Sequence, residues 1–256
     1  MKTLLNRSSF VLHLAHKLVK FQNLCTIKAV IFGHLTKQHD HTLERLGTEY
    51  GGWWVPLGVN SITSKKVLVS AGLGFDTTFD RAMLDRGFFI IGLDPSEKSC
   101  HYALQELNWN SKFRVVNRGL ATIVGQQAFY EPKLSDHFSW STIRLKDQDG
   151  EQGKYFEVTN LEQLYSENPE MADAEFRYLK MDIEGSELEI LENPTKALLS
   201  FHFMGIEMDF LSLLPFMSFH KRIQHILRAR KILKNLKDSK FQLIKTENFN
   251  FFWAKQ

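Results

Sequence analysis

The chain has 256 residues, 43% of them hydrophobic, enough to bury one sizeable core in a single domain or a domain with an extension. A net charge of +3 is too mild to demand a nucleic-acid partner, and no apolar run approaches the length of a membrane span. Two cysteines, Cys25 and Cys100, stand far apart with no C-x-x-C spacing, which argues against a disulfide framework or a structural zinc and makes a reducing, cytoplasmic setting the default.

Val11, Leu14, Ala15 and Leu18 recur at helical spacing, so residues from about 9 to 24 read as an amphipathic helix. No acid precedes Asp40, and Arg7, Ser8 and Ser9 are present, so a mitochondrial transit segment stands as the alternative to a helix packed on the domain. Residues 1–45 are thus taken as a helical extension and 46–256 as the main domain. His39, Asp40 and His41 are metal-ligand types, but neighbours in sequence rarely converge on one ion, and a solvated turn is expected. Tyr50-Gly-Gly-Trp-Trp54 reads either as a packed entry loop or as a lid whose aromatic ring covers a ligand.

The segment Lys66-Val-Leu-Val-Ser-Ala-Gly-Leu-Gly-Phe-Asp76 predicts a strand, a turn with two glycines one residue apart, and a helix start. A second apolar strand, Phe88 to Leu93, ends in Asp94-Pro95. This is the opening unit of a nucleotide-binding α/β domain: Ser70, Gly72 and Gly74 at the first strand's tip, and a carboxylate at the next to accept from ribose hydroxyls. Asp76 at the helix start would repel a pyrophosphate, which points away from NAD or FAD and towards a nucleoside without phosphates, S-adenosylmethionine above all. Gly87 fits a helix C-terminus, Ser96 an N-cap for a helix running to about Trp109, and Phe113 to Asn117 a third strand. Gly119 and Leu120 follow that strand's tip, beside the expected position of the base.

Between Thr122 and Thr159 short alternating runs predict a β-rich insertion above the sheet. Phe176 to Gly185 reads as a fourth strand and Phe203 to Asp209 as a fifth, both ending in acids, with a basic helix from Phe219 to Ser239 and two closing strands after it. Ligands of open α/β sheets sit outside the carboxyl ends of the strands, where Asp94, Asp182, Glu184, Glu207 and Asp209 are expected. Period-two alternation places Asp182 and Glu184 on one side of their strand, as a general base for a hydroxyl or as divalent-metal ligands, while Glu187 reads as a helix-start acid. The basic helix reads as a sheet cover with a solvated cationic face.

Lys180-Met-Asp-Ile-Glu-Gly-Ser-Glu-Leu-Glu-Ile-Leu191 closely resembles the K-x-D-x-E-G-x-E-x-x-x-L segment of the FkbM-type family of S-adenosylmethionine-dependent methyltransferases. The glycine turn with Asp94-Pro95, the stretch from Phe156 to Leu164 and Tyr50-Gly-Gly-Trp-Trp54 are similar to other parts of that family. The resemblance implies a class I methyltransferase fold, a seven-stranded, mostly parallel sheet with helices on both faces, and methyl transfer to a hydroxyl of a sugar or other small-molecule acceptor. It implies that Gly72, Gly74 and Asp94 hold S-adenosylmethionine, that Asp182 sits near its methionine end, and that Glu184 sits near the acceptor. Two positions depart from the pattern. Ser70 stands where many methyltransferases carry an acid, and Asp76, where relatives have glycine, is the candidate to take over the ammonium contact. Two other functions stay open. A nucleic-acid methyltransferase is disfavoured because no N-P-P-Y-like or D-P-P-Y-like segment occurs, and a cofactor-binding protein without catalysis is encouraged by Ser70.

Overall fold

The computed structural model describes residues 42–130, 141–142, 153–214, 217 and 219–256; the expected N-terminal helix, the His39 to His41 turn and most of 131–152 lie outside them. Twelve strands are described: β1 (Leu43–Leu46), β2 (Trp53–Pro56), β3 (Lys66–Ala71), β4 (Phe89–Leu93), β5 (Phe113–Val116), β6 (Gly119–Leu120), β7 (Gly125–Phe129), β8 (Lys154–Thr159), β9 (Phe176–Met181), β10 (Phe203–Glu207), β11 (Phe241–Glu247) and β12 (Asn250–Lys255). Seven form one sheet in the order β11-β12-β10-β9-β3-β4-β5. From β10 through β5 every neighbouring pair is parallel, and β12 lies antiparallel between β10 and β11. The chain passes from β3 outward to β4 and β5 and then returns to β9 on the other side of β3. A crevice opens where the winding reverses, at the carboxyl tips of β3 and β9.

All six residues of β3 are buried, as a central parallel strand covered on both faces requires. Alternation divides them: Val67, Val69 and Ala71 join a core with Leu179, Met181, Met204 and Ile206, whereas Leu68 packs with Ile90, Tyr178, Phe203 and Phe252 on the opposite face. The first face is covered by α3 (Leu161–Glu167), α5 (Glu187–Glu192) and α8 (Phe219–Asp238), and the second by α1 (Thr78–Asp85) and α2 (Glu97–Glu106). Short helices α4 (Pro169–Asp173), α6 (Lys196–Leu199) and α7 (Phe210–Leu213) complete the connections. The second face is also covered by β1 and β2, an antiparallel hairpin that inserts Leu43, Leu46, Trp53 and Val55. The expected boundary at residue 45 therefore cuts through β1, which packs as part of the main domain.

The helix ends are set by local bonds and backbone turns, at Ser96 and Gly87 as expected and at Asn160 in addition. Ser96 Oγ accepts from Ser99 N (3.4 Å), Asn160 Oδ1 accepts from Gln163 N (2.8 Å), and Gly87 takes φ +82° after α1. Helix α2 stops at Glu106, short of the expected Trp109, because Asn108 and Trp109 turn left-handed at φ +53° and +51°. Within the stretch expected to be an insertion, β7 and β8 pair with each other, and with β6 they form a separate three-stranded sheet, β6-β8-β7; a bridge between Tyr130 and Ser141 lies beside it.

Gly72 is where the chain leaves β3, at φ +82°, and a methyl group there would overlap the Asp182 carbonyl oxygen. Gly58, in a single 3-10 turn (Leu57–Ser61), has open space around it and no left-handed backbone. Gly72→Ala is therefore expected to destabilise by at least about 2 kcal/mol, lowering Tm by about 5 °C or more, and Gly58→Ala to stay within about 0.5 kcal/mol. Thermal unfolding of the two variants checks this, and equal shifts would contradict the steric account.

Candidate active site

The glycine turn is held from three sides. Gly72 N donates to Leu93 O (2.8 Å) of β4, and Asp182 N donates to Ala71 O (3.0 Å), carrying the β3–β9 ladder one residue past the strands. Lys180 Nζ donates to the Gly72 carbonyl. Leu73 N and Gly74 N both donate to Asp94 Oδ2 (3.0 and 3.1 Å), while Ser96 N donates to Oδ1 (2.8 Å). Asp94 thus braces the turn from the neighbouring strand tip. Burial pushes its carboxyl pKa up against the opposing effect of these three bonds and of the Lys180 charge. Gly74 has φ +55°, and a Cβ placed on it would meet nothing, so the turn offers bare backbone to the crevice. Pro95 follows Asp94 and lies beside Gly119, with 3.7 Å between its Cβ and one built on Gly119. Gly119 and Leu120 form β6, pairing with Val158 and Thr159, and Leu120 is buried in the core, so only Gly119 of the two adjoins the Asp94-Pro95 corner.

The two departures noted in the sequence acquire definite places. Asp76 accepts from Thr78 N (3.0 Å) and from the hydroxyls of Thr48 and Thr78, so it ties the entry of α1 to the turn between β1 and β2. Burial pushes its pKa up, but the Thr48 and Thr78 bonds outweigh this and leave it below the usual carboxylate range. Three of its roughly four lone-pair positions are engaged within the fold, which leaves room for about one further donor such as the expected ammonium group. Ser70 is fully buried, as alternation on β3 dictates, and faces the second core rather than the crevice. Its register partner Lys180 lies on the same face, and Asp80 of α1 is buried nearby. Ser70 Oγ and both Asp80 carboxyl oxygens have no hydrogen-bond partner among the described residues. Burial raises the Asp80 pKa, and the Lys180 charge and the nearby Ser70 hydroxyl act against it, which makes the pair close but misaligned.

The expectation that Asp182 and Glu184 share a strand face does not hold. Strand β9 ends at Met181, and Glu184 turns left-handed at φ +55°, followed by Gly185 at +116°, so period-two alternation does not reach them. Another device brings them to the same rim. Glu184 N donates to Asp209 Oδ2 (3.1 Å), and its carbonyl accepts from Thr142 N (3.1 Å) and Ser141 Oγ (2.7 Å) of the insertion. Lys180 Nζ stands 3.8 Å from Asp182 Oδ2, with its side chain almost wholly buried while that of Asp182 is one-third exposed. Behind the rim, Glu187 is fully buried, accepting from Gly185 N (2.7 Å) and Phe210 N (3.3 Å), and burial pushes its pKa up to about 7. Burial and then the charges of Asp182 and Glu184 push Glu207 up to about 8, and burial with the Glu184 charge raises Asp209 well above the usual range. Among the described residues no group of three His, Cys, Asp or Glu side chains is arranged to hold a metal ion.

Lys180, Asp80 and the buried role of Glu187 escaped the sequence reading. A lysine within the apolar run Tyr178-Leu-Lys-Met181 was a readable signal, since lysines are almost never fully buried without a partner. A cavity of about 390 Å³ lies between Asn160, Glu189, Asn193 and Arg228. It shares no lining residue with the glycine turn or the rim acids.

The raised carboxyls carry a pH signature. A carboxyl whose pKa is higher folded than unfolded stabilises the fold fully below its ordinary value near 4.5, and that contribution is lost as pH rises through about 7 to 8. Tm is expected to fall between pH 6 and 8.5, and Glu207→Gln should flatten that fall. Thermal melts across this range check it; an unchanged slope in the variant would contradict the placement of Glu207.

Bare glycine backbone in the crevice and a rim of carboxylates beside it suit a ligand with a nucleoside, no phosphates and positive charge, as S-adenosylmethionine has. No curated protein sequence matches the chain. Among solved structures, similarity is found to a fibrillarin/Nop5p complex (10% identity, 75% of this chain and 72% of that one, TM-score 0.36). A Methanococcus jannaschii fibrillarin pre-rRNA processing protein (8% identity, 75% and 66%, TM-score 0.36) and a putative methyltransferase from Thermoplasma acidophilum (8% identity, 75% and 68%, TM-score 0.35) are similar to the same degree. Likeness at that level carries no weight for activity. The match to a family model is another matter: it is described as "Methyltransferase FkbM domain" and covers residues 69–238, from β3 through the glycine turn and the acid rim to the end of α8. The chain therefore belongs to the FkbM methyltransferase domain family, whose members are S-adenosylmethionine-dependent methyltransferases.

Proposed function

We propose that the protein methylates a hydroxyl group on a sugar or another small hydroxylated molecule, with S-adenosylmethionine as donor. The cofactor supplies a methyl group already activated by its sulfonium. The protein's task is then to align an acceptor oxygen with that methyl carbon and to take up the hydroxyl proton. In this reading Gly72 and Gly74 expose backbone to the cofactor, and Asp94 keeps their turn in shape. Asp94 has three of its roughly four lone-pair positions engaged by backbone N–H groups, which leaves room for about one ribose hydroxyl.

The observation that carries the reading is the rim itself. Asp182 is partly open to solvent and sits at the tip of the strand next to the glycine turn, with a buried cation 3.8 Å behind it. That cation stands behind the carboxylate and helps to hold it at the rim, where it can accept a proton from a hydroxyl. Asp182 would take up the hydroxyl proton as the oxygen–methyl bond forms and the sulfur–methyl bond breaks, with the electron pair of the broken bond staying on sulfur. Glu207, with its pKa near 8, stands in the field of Asp182 and Glu184 and is suited to hold a proton at neutral pH. In this reading Glu184, anchored through its backbone to Ser141 and Thr142, faces the acceptor.

Transfer of a labelled methyl group from S-adenosylmethionine to a panel of sugars and small polyols, with RNA in parallel, tests this. Label in a hydroxylated small molecule is expected. Asp182→Asn should lower kcat by about 10²–10⁴-fold while leaving Tm within about 2 °C, because the amide is isosteric and loses only the base. Label confined to RNA, or undiminished turnover in Asp182→Asn, would contradict the proposal.

A further inference from the structure

The motif Tyr50-Gly-Gly-Trp-Trp54 divides in two. Trp53 is buried in the second core, edge-on to Phe252, and the Trp54 carbonyl accepts from Tyr178 Oη (2.9 Å), so the tryptophans are structural. Tyr50 is different: it is 94% exposed at the tip of the β1–β2 turn. That turn is well anchored. Arg45 donates to the carbonyls of Thr48 and Glu49 and pairs with Glu247 of the closing hairpin (3.2 Å). Thr48 N donates to Thr78 Oγ1 (3.0 Å), Gly51 N donates to Thr48 Oγ1 (2.9 Å), and Thr48 Oγ1 donates to Asp76 at the mouth of the glycine turn. Gly51 lies so close to Asp76 that an added Cβ would sit 2.5 Å from its carboxylate. A turn pinned this firmly, with its other contact positions kept free of side-chain bulk, presents one large aromatic side chain to water beside the entry of α1.

What surrounds the ring indicates what it would meet. The Asp76 carboxylate lies against the same turn, accepting from Thr48 Oγ1 and standing 2.5 Å from a Cβ built on Gly51; desolvation of the hydroxyl first, and then the charges of Asp182, Glu207, Glu184 and Asp76, raise the Tyr50 pKa, so the ring remains a neutral phenol. An electron-rich ring face and a group of carboxylates attract the same kind of ligand, a cation. An anionic or neutral ligand would gain nothing from this combination.

Building on the methyltransferase reading, we propose that Tyr50 is a cofactor-contacting residue whose ring covers the sulfonium of S-adenosylmethionine, so that the turn between β1 and β2 distinguishes the charged donor from its neutral thioether product. Its role would be to favour binding of the donor and release of the product. The carboxyl rim supplies the broad field, and the ring supplies the contact that depends on the charge being at sulfur. The ammonium group is common to donor and product, so the rim alone would discriminate less between them.

Titration calorimetry on the full chain with S-adenosylmethionine and with S-adenosylhomocysteine tests this in wild type, Tyr50→Phe and Tyr50→Leu. Leucine keeps apolar cover and removes the π face, and the site is too exposed for either change to threaten folding. Tyr50→Phe should hold both affinities within about twofold. Tyr50→Leu should weaken S-adenosylmethionine about tenfold and S-adenosylhomocysteine less than about twofold. Equal weakening of both ligands by Tyr50→Leu would reduce the residue to an apolar cover and overturn the inference, as would no change in either. If wild type binds neither ligand, the methyltransferase reading falls and the inference falls with it.

Discussion

The tips of β3 and β9 interlock at Gly72, and the site depends on that contact. Gly72 has no side chain because the Asp182 carbonyl occupies the space a Cβ would need, and its own carbonyl accepts from Lys180 of the same neighbouring strand. Two strands adjacent in the sheet but separated by more than a hundred residues of chain are thereby fixed at the point where the winding reverses. In the proposed reading the turn that would meet the cofactor and the carboxylate that would meet the acceptor are joined by these same contacts. A displacement of either would move the other.

That arrangement concentrates like charges. Asp182, Glu184, Glu187, Glu207 and Asp209 share a field, and the fold manages it by burial, raised pKa values and one buried ammonium. Isolated buried charges are costly enough that groups neutralise instead, as the pKa values near 7 and 8 of Glu187 and Glu207 indicate. Lys180 stabilises several of these acids at once, since its charge also acts on Asp76, Asp80 and Asp94. The surrounding additions support the same rim: the β1–β2 turn binds Asp76, and residues 141–142 of the insertion bind the Glu184 backbone.

Much of the fold was legible because the central strands are continuous apolar runs bounded by glycine, proline or acids, patterns that local sequence carries directly. β3, β4 and β9, the glycine turn, the Ser96 cap and the cationic cover helix follow from such patterns. What was not legible depended on tertiary contacts. Asp182 and Glu184 lie past the end of β9, so strand periodicity gave a false geometry, and their proximity comes from Asp209 and the insertion. Asp76 is a helix-entry ligand because a turn thirty residues earlier meets it, and Ser70 is buried because alternation points it at Asp80 and Lys180. The β1–β2 hairpin was missed as structure because its strands are only four residues each.

The central claim is that the crevice between β3 and β9 is where cofactor and acceptor meet. The most direct measurement is a crystal structure of the full chain with S-adenosylhomocysteine. The account predicts the adenosine beside the Gly72 to Gly74 turn and the Asp94-Pro95 corner, with the sulfur directed towards Asp182. Product bound elsewhere, such as in the cavity beside Glu189 and Arg228, or a crevice filled by protein side chains in the complex, would contradict it.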